Sequence, residues 1–199
     1  MNEEEYREMI VKRINKLFMD KGHIFIDTLE KSEGVISGAF PLACIFDIDT
    51  YGIDVYMKHD NQNPFSPFES FLLSGLYYEV QNGFDPGYML MDIERSRKYI
   101  KPGNITIHVR SLKCDVQEFI EKYFDLTFCM IQYCGGKELV IPYREETLMK
   151  KGYWRRWVAG ICTPGQVLNF KDRISRYRFR GFEVMENYYW GGGGSWEFR

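Results

Sequence analysis

Apolar positions recur with the helical period over residues 3–20. Tyr6, Ile10, Ile14, Leu17 and Phe18 share one face, and charged side chains fill the others. Lys21-Gly22 supplies a helix stop, and residues 23–29 read as a short strand or a loop. A second apolar lead, Val35-Ile36, runs into Ser37-Gly38-Ala39-Phe40 and then into Leu42, Ala43, Ile45 and Phe46. That order predicts a tight turn that opens a helix, with Pro41 tolerated in the first turn. The period then changes. Ile53, Val55 and Met57 alternate with Asp54, Tyr56 and Lys58, as in a half-buried strand whose polar face carries Asp54.

Turn-forming residues over 61–67 predict a loop, and 68–80 reads as helix. Asn82-Gly83-Phe84-Asp85-Pro86-Gly87 breaks the chain again. Ile105, Ile107 and Val109 alternate with Thr106, His108 and Arg110, which predicts another strand. Asp115-Val116-Gln117-Glu118 is a helix start of capping-box type, and Val116, Phe119, Ile120 and Tyr123 form the face that follows. Residues 123–131 read as a strand, with Leu126, Phe128 and Met130 alternating with Asp125, Thr127, Cys129 and Ile131. Gly135-Gly136 predicts a hairpin turn into 138–143. Residues 145–157 and 164–177 read as mainly helical.

The elements together predict an α/β (α+β) chain: a mixed β-sheet with flanking helices over 1–143, then a helical, basic C-terminal part over 144–190. Residues 191–199 read as a flexible tail, and Gly191-Gly192-Gly193-Gly194-Ser195 has the composition of an engineered linker.

Composition narrows the class. The 199 residues are 45% hydrophobic, 27% charged and 17% aromatic, which excludes disorder, collagen and coiled coil. No apolar run approaches the roughly 20 residues of a membrane span, and the acidic start Met1-Asn2-Glu3-Glu4-Glu5 is unlike a secretory signal. An intracellular or packaged protein is expected. Cys44, Cys114, Cys129, Cys134 and Cys162 are odd in number and include no CxxC pair, so reduced core thiols are expected. Charge is uneven: residues 144–199 hold 11 Lys/Arg against 6 Asp/Glu, and residues 1–143 hold 15 against 22. Such a basic section is either a solvated face or a contact surface for nucleic acid or an acidic partner. Tyr153-Trp154-Arg155-Arg156-Trp157 has the ring and guanidinium mixture of single-strand binders, and also the spacing of a helix packing face. Arg173, Arg176, Arg178 and Arg180 either line a phosphate groove or stand exposed while Tyr177, Phe179 and Phe182 are buried.

One constellation carries candidate chemistry: Ser37-Gly38-Ala39 at a strand-to-helix turn, Asp54 on one strand and Asp125 on a later one. A glycine turn lets backbone N–H groups approach a phosphate, and the helix N-terminus adds positive potential. Carboxylates on adjacent strands can hold Mg²⁺, which bridges phosphates and assists in-line displacement.

With these residues the sequence resembles the nucleotidyltransferase superfamily of DNA polymerase β-like fold. That family's pattern is an apolar residue, Gly-Ser, about a dozen residues, Asp-x-Asp on a strand, and a third carboxylate on a later strand. Here Ile36-Ser37-Gly38-Ala39 precedes Gly52-Ile53-Asp54 by 12 intervening residues, and Phe124-Asp125-Leu126 looks like the third-carboxylate segment. Residues 37–56, 123–129, 173–177 and 180–182 are also similar to nucleotidyltransferase-like proteins of large DNA viruses.

The resemblance implies a phosphate turn at Ser37, Gly38 and Ala39, catalytic Asp54 and Asp125, Mg²⁺ at Asp54 and Asp125, and an NTP ligand. The pattern is incomplete: Ala39 replaces a serine, and Gly52 replaces the first aspartate. Asp49 is the candidate substitute ligand. Phe46-Asp47-Ile48-Asp49 offers a second apolar-Asp-x-Asp, but only seven residues separate Ala39 from Asp47, about 10 Å of helix with no room for a loop. Asp47 and Asp49 fit a helix-to-strand connection better. Three functions follow. The first is a degenerate nucleotidyltransferase-like protein, viral, with a binding or assembly role and protein or nucleic-acid partners, the latter through residues 150–180. The second is an active Mg²⁺-dependent enzyme moving NMP from an NTP to a hydroxyl or protein acceptor. The third is a purely structural particle component.

Overall fold

The computed structural model describes residues 1–50, 52–60, 65–75, 77–80, 92–101, 103–136, 138–155 and 164–186. The predicted turn at 82–87, Arg156 and Trp157, Cys162 and the tail 191–199 lie outside them.

Helix α1 spans Glu3–Phe18 and buries Tyr6, Ile10, Ile14 and Phe18, the face expected from periodicity. Asn2 caps it in a reciprocal box with Glu5. Residues 23–29 are not a strand: they belong to α2, Gly22–Lys31. The Lys21-Gly22 stop turns the chain through a single 3₁₀ turn into a second helix, whose Phe25 and Leu29 are fully buried. Strand β1 (Val35–Ser37) leads through Gly38 into α3 (Ala39–Phe46). Asp47 closes α3 in the left-handed conformation, so Asp47 and Asp49 fall in the helix-to-strand connection as expected. Strand β2 occupies Gly52–Lys58.

The next segment departs from expectation. Only Pro67–Ser74 is helical (α4), and Tyr78–Val80 forms strand β3. Strand β4, Ile93–Ile100, escapes periodicity because its inward residues are Arg95, Arg97 and Tyr99, polar groups neutralised from below by Glu69 of α4. Strand β5 is Thr106–Leu112 and helix α5 is Val116–Tyr123, capped by Asp115. The strand expected over 123–131 is absent. Thr127–Cys129 is a 3₁₀ turn, and the alternating apolar residues are all buried because the segment is enclosed on both sides. Strands β6 (Gln132–Tyr133) and β7 (Leu139–Val140) form the hairpin expected at Gly135-Gly136. After the short α6 (Arg144–Leu148), residues Lys151–Trp154 form strand β8 rather than helix. Helix α7 spans Pro164–Phe179, and β9 (Glu183–Glu186) pairs in parallel with β8.

The sheet runs β3-β4-β5-β2-β1-β6-β7 and is mixed: β2 and β5 are parallel, and every other neighbouring pair is antiparallel. Ile53 and Val55 lie in register with Ile107 and Val109 on one face. Glu69 of α4 reaches the same face of β4, and α2 packs on α4. Among the described residues, the opposite face is covered by rings at the Tyr56 end. There Phe119 of α5 and Phe124 each lie 5.6 Å from the Tyr56 ring. The C-terminal elements join this buried cluster. Phe128 stacks near Tyr177 at 4.8 Å and Phe182 at 5.0 Å. A Cβ on Gly152 would lie 2.3 Å from Phe128, so β8 can approach only through glycine. Among the described residues no helix is long and apolar enough to cross a membrane.

Candidate functional site

The other end of this sheet face holds the predicted turn, with Ser37 and Gly38 buried, and the half-buried Asp54. Ser37 and Asp54 are register partners across the antiparallel β1–β2 pair. Gly38 has φ +85°, and a Cβ placed there would lie 3.4 Å from Asp54 Oδ2. The glycine supplies both the positive φ and the close approach. The structure therefore brings the turn and Asp54 together.

The turn's polar groups are engaged within the protein. The Gly38 N–H donates to the Cys129 carbonyl at 3.0 Å, and the Ser37 hydroxyl donates to the same oxygen at 3.3 Å. Ser37 is fully buried. Ala39 opens α3, and the helix start has no side-chain cap.

Asp54 is held by an arginine. In the parallel pair β2–β5, Gly52, Asp54 and Tyr56 face Thr106, His108 and Arg110 in register. Residues two apart share a face, so Arg110 stands one pleat beyond Asp54. Its guanidinium reaches back to Asp54 Oδ1 at 2.6 Å and stacks over the Tyr56 ring at 5.3 Å. The Arg110 side chain is 7% exposed and that of Asp54 30%. His108 lies directly opposite Asp54, and Lys98 of β4 lies opposite His108. Burial holds the His108 pKa below its ordinary value; the Asp54 charge opposes this, and Arg110 and Lys98 reinforce it. The imidazole is thus neutral at pH 7, leaving Arg110 and Lys98 as the fixed cations of this face.

Asp125 sits in a different frame. It follows α5 and is not on a strand; the Arg155 N–H donates to its carbonyl. Its carboxylate accepts a very short hydrogen bond from Arg173 of α7. Burial acts to lower the Arg173 pKa, but the Asp125 charge outweighs it, and the guanidinium stays charged. Cys129 joins this cluster by donating to the Tyr177 hydroxyl oxygen at 3.3 Å, and burial pushes its thiol up to about 11. Asp125 is therefore linked to the glycine turn through Cys129. Asp49 is exposed in the α3–β2 connection.

The donor set can be tested against Mg²⁺, which demands near-octahedral oxygen ligation. Gly52 offers no donor, Asp54 and Asp125 are each already bound to a guanidinium, and Asp49 is exposed in the α3–β2 connection. Among the described residues no group of three or more His, Cys, Asp or Glu side chains is placed to hold a metal ion. As arranged, these residues do not fit a tightly held Mg²⁺.

Arg110 and Arg173 are the site residues that sequence reasoning missed as partners. The alternation at 105–110 already placed Arg110 on a polar face. Only the parallel β2–β5 register, which no local pattern encodes, aims it at Asp54.

No family model and no curated protein matches the chain. Solved structures do. The fold is similar to a CCA-adding enzyme in complex with CTP (TM-score 0.57, 14% identity, covering 87% of this chain and 43% of that one). It is also similar to the Thermotoga maritima CCA-adding enzyme complexed with tRNA (0.56, 14%, 87% and 42%) and to a CCA-adding enzyme with ATP (0.56, 13%, 88% and 42%). The chain thus spans less than half the length of these structures. At such identities the likeness concerns the fold alone, and the fold is nucleotidyltransferase-like: a mixed sheet flanked by helices.

Proposed function

We propose that this chain is a degenerate nucleotidyltransferase-like protein in which an arginine occupies the charge-balancing role of a catalytic cation, and which binds partners rather than transferring nucleotides. The observation that carries this reading is the 2.6 Å contact between Arg110 and Asp54, made by a guanidinium 7% exposed. A charge so placed neutralises the carboxylate without the empty-site repulsion that a cluster of acids would suffer. The amide of Gly38, committed to Cys129, points the same way. An NTP would meet this turn without a tightly bound metal to neutralise its phosphates. The reading includes an intracellular, viral setting, supported by the resemblance of residues 37–56, 123–129, 173–177 and 180–182 to proteins of large DNA viruses. It also includes a protein or nucleic-acid partner, supported by the basic section after residue 143.

The test is incubation with Mg²⁺ or Mn²⁺ and each labelled NTP, followed by assay for transferred label and released pyrophosphate. Neither is expected. Turnover that disappears in Asp54→Ala would instead establish the active enzyme, with Asp54 as a metal ligand.

A further inference from the structure

Helix α7 displays a chemistry that the sheet face lacks. Its Ile174 and Tyr177 are buried against the body. At 100° per residue, Phe179 falls about 140–160° round the helix from them. Its ring is accordingly 94% exposed, more than any other large apolar side chain among the described residues, and the expectation that it is buried is corrected. A lone exposed ring needs no explanation, but this one stands inside a charged field. Lys171, Arg176 and Arg178 are exposed and Arg180 is half-buried, against the single exposed carboxylate of Asp172 on the same stretch. Among the described residues no carboxylate pairs with Lys171, Arg176 or Arg180, whereas Arg173 is already bound to Asp125.

The mount is rigid. Tyr177 lies 4.8 Å from the Phe128 ring and 5.6 Å from Phe182, and its hydroxyl contacts Cys129. Arg173 ties the same turn to Asp125. Arg176, Phe179 and Arg180 follow the i, i+3, i+4 spacing of neighbours on a helix surface. Ring and guanidinium groups are therefore offered together from a backbone that Tyr177 and Arg173 tie to the body.

We propose that the Arg176, Phe179 and Arg180 ridge at the C-terminal end of α7 binds a single-stranded nucleic acid, with Phe179 stacking on a base and the two arginines meeting flanking phosphates. The charge and the ring select this occupant jointly. An acidic peptide would satisfy the arginines and leave the ring in water. A duplex would satisfy the arginines and hide its base faces within the stack. Only an unpaired strand carries both a phosphate and an exposed π-face in every repeat. Stacking and phosphate contact do not read the sugar, so RNA and DNA strands bind alike. The inference rests on the partner-binding role proposed above and not on the loss of catalysis, so nucleotidyl transfer would leave it standing.

The test is fluorescence anisotropy of labelled oligouridine and oligothymidine with the full chain, between about 50 and 200 mM salt. Both strands should bind with similar affinity. Phe179→Ala should weaken each about tenfold, within the range for loss of a base–aromatic stack, and Phe179→Trp should restore it. Arg176→Gln and Arg180→Gln should each flatten the log–log salt dependence by about 0.7. Arg176 and Phe179 are exposed and Arg180 is half-buried, so the variants at these three positions should keep the parental melting temperature. Four results would overturn the proposal: no strand binding at the lowest salt, binding indifferent to Phe179, binding of polyglutamate through this ridge in place of the strands, or Phe179-dependent self-association in sedimentation without strand binding.

Discussion

Asp54→Ala and Arg110→Met break the same contact, yet they should differ in cost. The Arg110 side chain is 7% exposed and that of Asp54 30%. Removing Asp54 takes the 2.6 Å charged partner from a guanidinium that water reaches poorly. The Tyr56 hydroxyl, 3.4 Å away, is too distant to replace a 2.6 Å charged hydrogen bond. Loss of one partner from a buried pair costs about 3–5 kcal/mol, and partial hydration from the Asp54 side places Asp54→Ala at about 3 kcal/mol. Removing Arg110 leaves a carboxylate already in contact with water, while methionine keeps much of the apolar stem. Arg110→Met should therefore cost about 1–1.5 kcal/mol, near the low end for a charged hydrogen bond.

For a chain of this length each kcal/mol lowers Tm by about 2–4 °C. Urea titration and calorimetry of both single variants and the double variant then give the coupling. The double variant should fall short of the sum by at least about 1 kcal/mol. The contrast with a metal ligand lies in the sign. A carboxylate kept for Mg²⁺ is under-compensated when the metal is absent, so its removal is neutral or stabilising. Mg²⁺ would then raise the parent's Tm and not that of the variant. An Asp54→Ala protein as stable as its parent, together with a Mg²⁺-dependent Tm, would refute the reasoning.

Three further outcomes are expected. Gly52→Asp alone should create no Mg²⁺ affinity, because Arg110 still holds Asp54 and the new Cβ would sit 3.1 Å from the Thr106 carbonyl; adding Arg110→Ala should yield Mg²⁺ binding by isothermal calorimetry. Glu69→Gln should cost about 3–5 kcal/mol in urea unfolding, since the fully buried carboxylate accepts from Arg95, Arg97 and Tyr99 and has no water to fall back on. Burial raises the Cys129 thiol to about 11 and the Cys44 thiol to about 12, so the unfolded chain ionises these groups from about pH 9 while the folded chain keeps both protons. Their contribution to stability is complete below pH 9 and is lost as pH rises toward 11 and 12. Site-resolved alkylation at pH 9 should leave both residues unlabelled until urea unfolds the protein; labelling under native conditions would contradict the burial argument.

Elements that pack one apolar face against one layer were legible in the sequence. Helices α1 and α5 follow their periods because each has a single buried side, and β2 keeps its alternation at Ile53 and Val55 although Tyr56 on its other face is buried as well. The failures share a physical cause. Strand β4 buries arginines, which pattern reading assigns to solvent, because the carboxylate that makes their burial tolerable arrives from α4. Residues 123–131 look like a strand because alternate positions are apolar, but every residue from 126 to 131 is buried, and period 2 carries no information where both sides are covered. Strands β8 and β9 depend on each other across an intervening helix, a pairing invisible to any local window. Within the candidate site, the nearness of Gly38 to Asp54 follows from a short strand–turn–helix–strand unit and was accessible from spacing. The ties of Asp54 to Arg110 and of Asp125 to Arg173 join positions 56 and 48 residues apart and needed the fold.

Those two ties commit the charge near the turn within the protein, and the proposed binding role falls to the surface. A phosphate site needs backbone amides that are free, and the Gly38 amide is committed to Cys129. A metal site needs carboxylates whose charge is uncompensated, and both aspartates are compensated by arginines whose positions are set by packing. Arg110 is fixed because its neighbours Val109 and Ile107 belong to the sheet's buried face. Arg173 is fixed because Tyr177, one turn further along α7, is locked among Phe128, Phe182 and Cys129. Releasing either aspartate therefore means disturbing a core, at a cost of several kcal/mol, which a weakly held Mg²⁺ would not offset. Arg176 is exposed on the same helix as Arg173 and Arg180 is half-buried just past its end, and among the described residues no carboxylate pairs with either. Charge that is locked at the turn serves stability, and charge that is left outward on α7 is what a partner can use.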